Sequence, residues 1–149
     1  MTDDVALARD LVSLLPHLGR IFAKSARERG TVSVDRVKPL GMLAEAGPIR
    51  AGELADLCYL TPAAVTHAID ALVADGLVRR EDDPVDRRAV LLHVTGKGRR
   101  ELTRVHEAAA EAVARAVRDL EPSARSALRE ALPRLAAALA RADRAAERV

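Results

Sequence analysis

The chain has 149 residues, 24 Lys and Arg against 22 Asp and Glu, and 49% hydrophobic residues, enough to bury a core and to exclude a disordered segment. Aromatic residues make up 1%, Phe22 and Tyr59 alone, which argues against a single-stranded nucleic-acid binder built on stacking platforms. A single cysteine, Cys58, closes no intramolecular disulfide, and there is neither an apolar signal core nor an apolar run of about 18 residues, so a cytoplasmic protein without a membrane span is expected.

At the N-terminus Leu7, Leu11, Leu14, Leu18 and Ile21 follow one another at intervals of four and three residues. Leu128, Leu132, Leu135, Leu139 and Ala142 repeat that pattern near the C-terminus. Narrow seams of this kind are buried against other helices, so both ends read as helices that pack against further helices. Pro16 and Pro133 predict kinks or local breaks in them.

Between the seams the elements are shorter. Residues Ser33 to Ala46 read as a helix containing Pro39 and Gly41 and stopped by Gly47 and Pro48. "RAGELADL" is a short helix, "CYL" a tight turn, and "TPAAVTHAIDALVAD" a second helix with Thr61 as N-cap and Pro62 in its first position. Val65, Ile69, Leu72 and Val73 give that helix a buried stripe, and Gly76 ends it. "LVRRE" and "AVLLHVT" are β-prone runs joined by the polar "DDPVDRR", a hairpin with a long tip. A third seam, Leu102, Val105, Ala109, Ala112, Ala116 and Leu120, follows Thr95 as N-cap and ends before "DLEPSARS", where Pro122 opens the last helix.

This order predicts a mainly α protein with a small β-hairpin wing: a winged helix-turn-helix flanked by N- and C-terminal dimerisation helices. The expected divisions are an N-terminal dimerisation helix over 1–32, a DNA-binding lobe over 33–96, and a long helix plus C-terminal helix over 97–149. Within the lobe the recognition helix falls at about 61–75 and the wing at about 77–94. Charge is concentrated at the same place. Residues 86–100, "DRRAVLLHVTGKGRR", hold five Lys or Arg against one Asp, a net of +4 in a chain whose total is +2. A recognition helix enters a major groove N-terminus first while a basic hairpin tip reaches the neighbouring backbone or minor groove.

The stretch from Gly52 to Leu102, with "DRRAVLL" at the hairpin tip and "LHVTGKGRREL" leading into the long helix, resembles the MarR family of bacterial transcriptional regulators. The resemblance implies a homodimer built from both chain ends, two winged lobes on a palindromic duplex, and release by a small aromatic or lipophilic effector or by thiol oxidation.

Candidate DNA-reading residues are Thr61, Pro62, Ala63, Ala64, Thr66 and His67 on the recognition helix. On the wing they are Asp86, Arg87 and Arg88, with Arg88 placed to enter a minor groove and Asp86 to orient its guanidinium. Arg50, Arg79, Arg80 and Lys97 are possible phosphate contacts, beside Arg99 and Arg100, although each reads sooner as a solvated charge than as an essential contact. The recognition helix carries no Lys or Arg and contains Asp70 and Asp75, so little charge-based affinity is expected from it.

Cys58, with no resolving cysteine and no neighbouring cation in the sequence, reads as packing rather than as a redox switch. His17 and His106 fall on elements that, by the resemblance, flank an effector cavity. The four histidines are scattered, so no metal and no cofactor is expected. No nucleophile stands at motif spacing from a base, which argues against an enzyme. The acidic recognition helix leaves one alternative: a winged-helix protein-interaction module that has lost specific DNA binding.

Overall fold

A computed structural model describes residues 2–29 and 32–146. The chain divides into two compact units, one through residue 111 and one from residue 112.

In the first unit, α1 (Thr2–Ser13) and α2 (Leu15–Arg29) replace the single N-terminal helix of the sequence reading. The break falls at Leu14, just before Pro16, whose ring is incompatible with the carbonyl one turn back. The Leu14 carbonyl starts the new helix by accepting from the N–H groups of both His17 and Leu18 at 3.0 Å. Helix α3 (Val34–Ala46) runs uninterrupted through Pro39, which is itself buried.

The next two helices are α4 (Ala51–Cys58) and α5 (Pro62–Ala74). Tyr59 closes α4 in the left-handed conformation at φ 52°, with its N–H on the Asp56 carbonyl and that of Leu60 on the Ala55 carbonyl. At the start of α5, Thr61 Oγ1 accepts from the Ala64 N–H at 3.2 Å, the cap expected there. At its end Gly76, at φ 72°, and Leu77 return their N–H groups to the Val73 and Leu72 carbonyls. This paired C-cap turns the chain into the hairpin.

Strands β1 (Val78–Asp82) and β2 (Val90–Val94) pair antiparallel, with Val78 opposite Val94 and Asp82 opposite Val90. Leu92 also bridges Ile49, its N–H donating to the Ile49 carbonyl at 2.9 Å, so the hairpin is bonded to the segment that leads into α4. The core beneath these elements is aliphatic: Leu40, Leu43, Leu54, Cys58, Val65, Ile69, Leu72, Leu77, Leu92 and Val105 are buried.

Helix α6 (Gly96–Arg118) begins on this core with Leu102, Val105 and Ala109 buried. Thr95 caps it, Oγ1 accepting from the Gly98 N–H at 3.1 Å while donating to the Gly76 carbonyl at 2.7 Å. The second unit contains α7 (Pro122–Ala146), which Pro122 opens as expected. Pro133 does not interrupt it: a long helix tolerates the loss of the one bond to the Arg129 carbonyl. Leu128, Leu132 and Leu139 of α7 are exposed, as are Leu7, Leu14, Leu15 and Leu18 at the other end of the chain.

Candidate nucleic-acid interface

Helix α5 presents the outward face that its stripe requires. Val65, Ala68, Ile69 and Leu72 are buried, whereas Ala63, Ala64, Thr66, His67 and Asp70 are exposed. Thr61 and Pro62 stand exposed at its N-terminus, where free N–H groups and the helix dipole attract an anion. The Thr66 hydroxyl donates to the Pro62 carbonyl at 2.8 Å, which leaves its lone pairs outward as an acceptor. Near the start of α3 the Asp35 carboxyl is held below the usual range first by the Ser33 hydroxyl, and more weakly by its own backbone N–H, by Arg36 and, least, by His67.

The wing tip is folded around a residue the sequence reading did not single out. Asp83 is buried, its Oδ1 accepting from the N–H groups of Val85 (2.8 Å) and Asp86 (3.3 Å). Its Oδ2 accepts from Arg50 Nη2 at 2.8 Å. That hydrogen bond, with the two backbone donors, holds the Asp83 carboxyl below its ordinary value and pushes the Arg50 guanidinium up. "DDP" is a turn signal of the kind in which an aspartate bonds the backbone two residues on, and it was the clue available in the sequence.

Asp86 differs from its expected role. It does not hold the Arg88 guanidinium; its Oδ1 accepts from the Arg88 backbone N–H at 3.1 Å, and its Oδ2 lies 3.4 Å from Arg50 Nη2. A carboxylate two residues upstream reaches the main chain before it reaches the end of a long side chain. Asp86 therefore fixes the loop and leaves the guanidinium outward. Arg87 and Arg88 are exposed, and neither guanidinium has an ion-pair partner among the described residues.

The four possible phosphate contacts all have partners within the chain. Arg50 bridges Asp83 and Asp86. Arg79 meets Glu81 at 2.6 Å, where the same carboxylate oxygen lies 3.0 Å from His93 Nε2. Arg80 meets Asp70 at 2.6 Å, and Lys97 Nζ donates to the Asp75 carbonyl at 2.7 Å. Arg36 takes the Asp75 carboxylate at 2.8 Å, so both acids of the recognition helix are neutralised by arginines from other elements.

Cys58 is fully buried, and burial pushes its thiol up, away from the reactive thiolate. The absence of a neighbouring cation does not hold in space: Lys38 Nζ donates to the Cys58 carbonyl at 2.8 Å and partly offsets the effect of burial. His106 packs edge-on against Phe22 with ring centroids 5.2 Å apart, and His17 Nδ1 lies 2.9 Å from Arg20 Nη2. Among the described residues no cluster of three His, Cys, Asp or Glu is placed to hold a metal. No single helix among them is long and apolar enough to cross a membrane.

A capped helix, a left-handed turn, a second helix and a hairpin bonded back to the lobe make a winged helix-turn-helix, the architecture of a transcriptional regulator. Comparison with known proteins agrees. Residues 33–90 match the model of the MarR family. The HTH-type transcriptional regulator YkoM of Bacillus subtilis is 30% identical over 116 residues, 71% of this chain and 75% of that protein. Alignments with two further Bacillus subtilis regulators span 64% and 58% of those proteins.

The structure is similar to that of the transcriptional regulator Tm0710 from Thermotoga maritima, with a TM-score of 0.75 and 28% identity over 91% of this chain and 95% of that one. Wild-type MarR of E. coli in its apo form shares the fold at a TM-score of 0.73 and 22% identity, over 87% and 95% of the two chains. The chain belongs to the MarR family. It is a winged-helix transcriptional regulator, not an enzyme.

Proposed function

We propose that this regulator is a homodimeric, cytoplasmic, sequence-specific binder of double-stranded DNA, and that it acts as a repressor released by a small aromatic or lipophilic effector. The observation that carries the reading is the wing. Asp83, Asp86 and Arg50 tie its tip to the lobe, while Arg87 and Arg88 stand outward with no carboxylate among the described residues to neutralise them. Next to an α5 whose Thr61, Ala63, Ala64, Thr66 and His67 face outward, that geometry suits a minor-groove and phosphate contact flanking a major-groove reader.

The exposed leucine seams supply surface for a second copy, and a two-fold dimer calls for a palindromic operator. The Phe22–His106 ring pair supports an aromatic ligand, which the imidazole can hydrogen-bond. A mobility-shift titration against duplex from the region upstream of its own gene tests the proposal. Specific, salt-sensitive binding that an aromatic acid weakens is the expected result. Binding that any unrelated duplex competes away equally would favour the protein-interaction alternative.

A further inference from the structure

The recognition helix has no Lys or Arg between Thr61 and Asp75, yet a guanidinium lies on its outward face. It comes from the wing. Arg80 is the third residue of β1, two after buried Val78, so the strand's alternation sends its side chain toward the lobe rather than away from it. There Arg80 Nη2 donates to Asp70 Oδ1 at 2.6 Å. Arg79, the neighbour on the opposite face of the strand, is turned away to Glu81.

We propose that Arg80 and Asp70 work as one reading element: the wing strand supplies the basic group that α5 lacks, and the helix's own carboxylate aims it at a base edge. The inference rests on the DNA-binding reading above. Asp70 follows His67 by one turn on the exposed face of α5, so the guanidinium it holds lies beside the residues placed to meet bases. Half-exposed as the two side chains are, at 45% and 59%, the pair contributes little to folding.

Orientation is what the pair provides. A guanidinium has five donors in a fixed plane, and with one end bonded to Asp70 the rest keep a defined direction. Guanine, with O6 and N7 side by side in the major groove, is the base edge that such a fork matches. A phosphate contact has no need of the carboxylate. There a mobile arginine serves equally well, and Asp70 would only repel the backbone.

Asp70 is thus a positioning residue, and its test must read sequence preference rather than affinity alone. The full-length protein, Asp70→Ala, Arg80→Lys and Arg80→Ala would each be bound to a pool of duplexes randomised across the preferred site of the unaltered protein. Preference would be scored base pair by base pair, and a thermal melt would check folding. The expected result is a loss of discrimination of about tenfold or more at one G·C position. It would fall at the same position in Asp70→Ala and Arg80→Lys, although both retain a cation, and melting would be unchanged. Uniformly tighter binding by Asp70→Ala with every preference intact would overturn the proposal and make the pair a charge mask. Absence of any site preference in the unaltered protein would instead overturn the DNA-reading function, and this inference with it.

Discussion

Arg50 and Asp83 stand 33 residues apart in sequence and meet at 2.8 Å, one just before α4 and the other in the wing loop. Beside Arg50 the Ile49–Leu92 bridge joins the segment before α4 to strand β2 of the same hairpin by their backbones. The wing is therefore fastened to the helix-turn-helix at two adjacent points, one neutral and one ionic. Arg50→Ala should leave the Asp83 carboxylate without its cation and loosen the tip that carries Arg87 and Arg88. The expected outcome is weaker operator binding with faster amide exchange at Val85 and Asp86, whose N–H groups Asp83 accepts. Unchanged exchange there would remove Arg50 from the control of the wing.

The same pair sets a pH dependence. Asp83 has a depressed pKa in the folded chain, because Arg50 and two backbone N–H groups favour its charged form. The unfolded chain binds the proton more readily, so the stabilisation is fully present above the unfolded value of about 3.9 and is lost as pH falls through the folded value. Acid titration of the melting temperature should show this loss. Arg50→Ala should have a smaller share of it, because its Asp83 returns toward the ordinary value.

Arg88→Ala and Lys97→Ala should separate two kinds of cation. Arg88 projects from a pinned tip with no carboxylate partner among the described residues, whereas Lys97 is already bonded to the Asp75 carbonyl at the end of α5. Losing Arg88 should weaken operator binding about tenfold or more. Losing Lys97 should change affinity less, and should lower the slope of log affinity against log salt by about 1 if its charge meets a phosphate. Equal and negligible effects from both would take the wing out of the mechanism.

Elements marked by local chemistry were legible in the sequence. The Thr61 cap with Pro62, the Gly76 stop, the Thr95 cap and the hairpin all stand where periodicity and turn residues put them. What was not legible depends on residues far apart meeting in space. Nothing local to Arg50, Arg80 or Lys97 announces that their charges turn inward to Asp83, Asp70 and the Asp75 carbonyl. Lys38 beside Cys58 was missed for the same reason, twenty residues separating them. The split of the N-terminal helix at Leu14 was half visible: Pro16 announced a disturbance without showing that it would be a full break.

Gly98 illustrates a spacing that only packing explains. A Cβ there would lie 2.3 Å from the Leu77 carbonyl oxygen and 2.9 Å from Val94 Cγ1, so α6 rests directly on the backbone where the chain enters the wing. Alanine normally favours a helix over glycine by about 1 kcal/mol. At this position overpacking against a backbone atom should outweigh that gain. Gly98→Ala is expected to be destabilising by about 1–3 kcal/mol in a denaturant titration. A stabilised variant would mean that α6 shifts away from Leu77 without penalty.

Tyr59 should give the opposite sign. It is 92% exposed and sits at φ 52°, a region that disfavours a side chain by roughly 1–2 kcal/mol and that glycine adopts freely. Glycine gives back part of that through its greater freedom in the unfolded chain. Tyr59→Gly should therefore be stabilising by about 1 kcal/mol or somewhat less. A destabilised Tyr59→Gly would show that the exposed ring makes a contact that outweighs its backbone strain.

Leu132 tests the assembly. It lies on the α7 seam with Leu128 and Leu139, exposed in a single chain where a large apolar side chain gains nothing from water. If the seam is covered by a second copy, burying a glutamate there carries a desolvation penalty with no partner in view. Leu132→Glu should sediment as a monomer at concentrations where the unaltered protein is a dimer. Its lobe should stay folded, since α7 falls in the other unit from the α3–α5 core. Operator binding should then drop to that of one half-site. A Leu132→Glu protein that remains dimeric would place the interface on a face other than this seam.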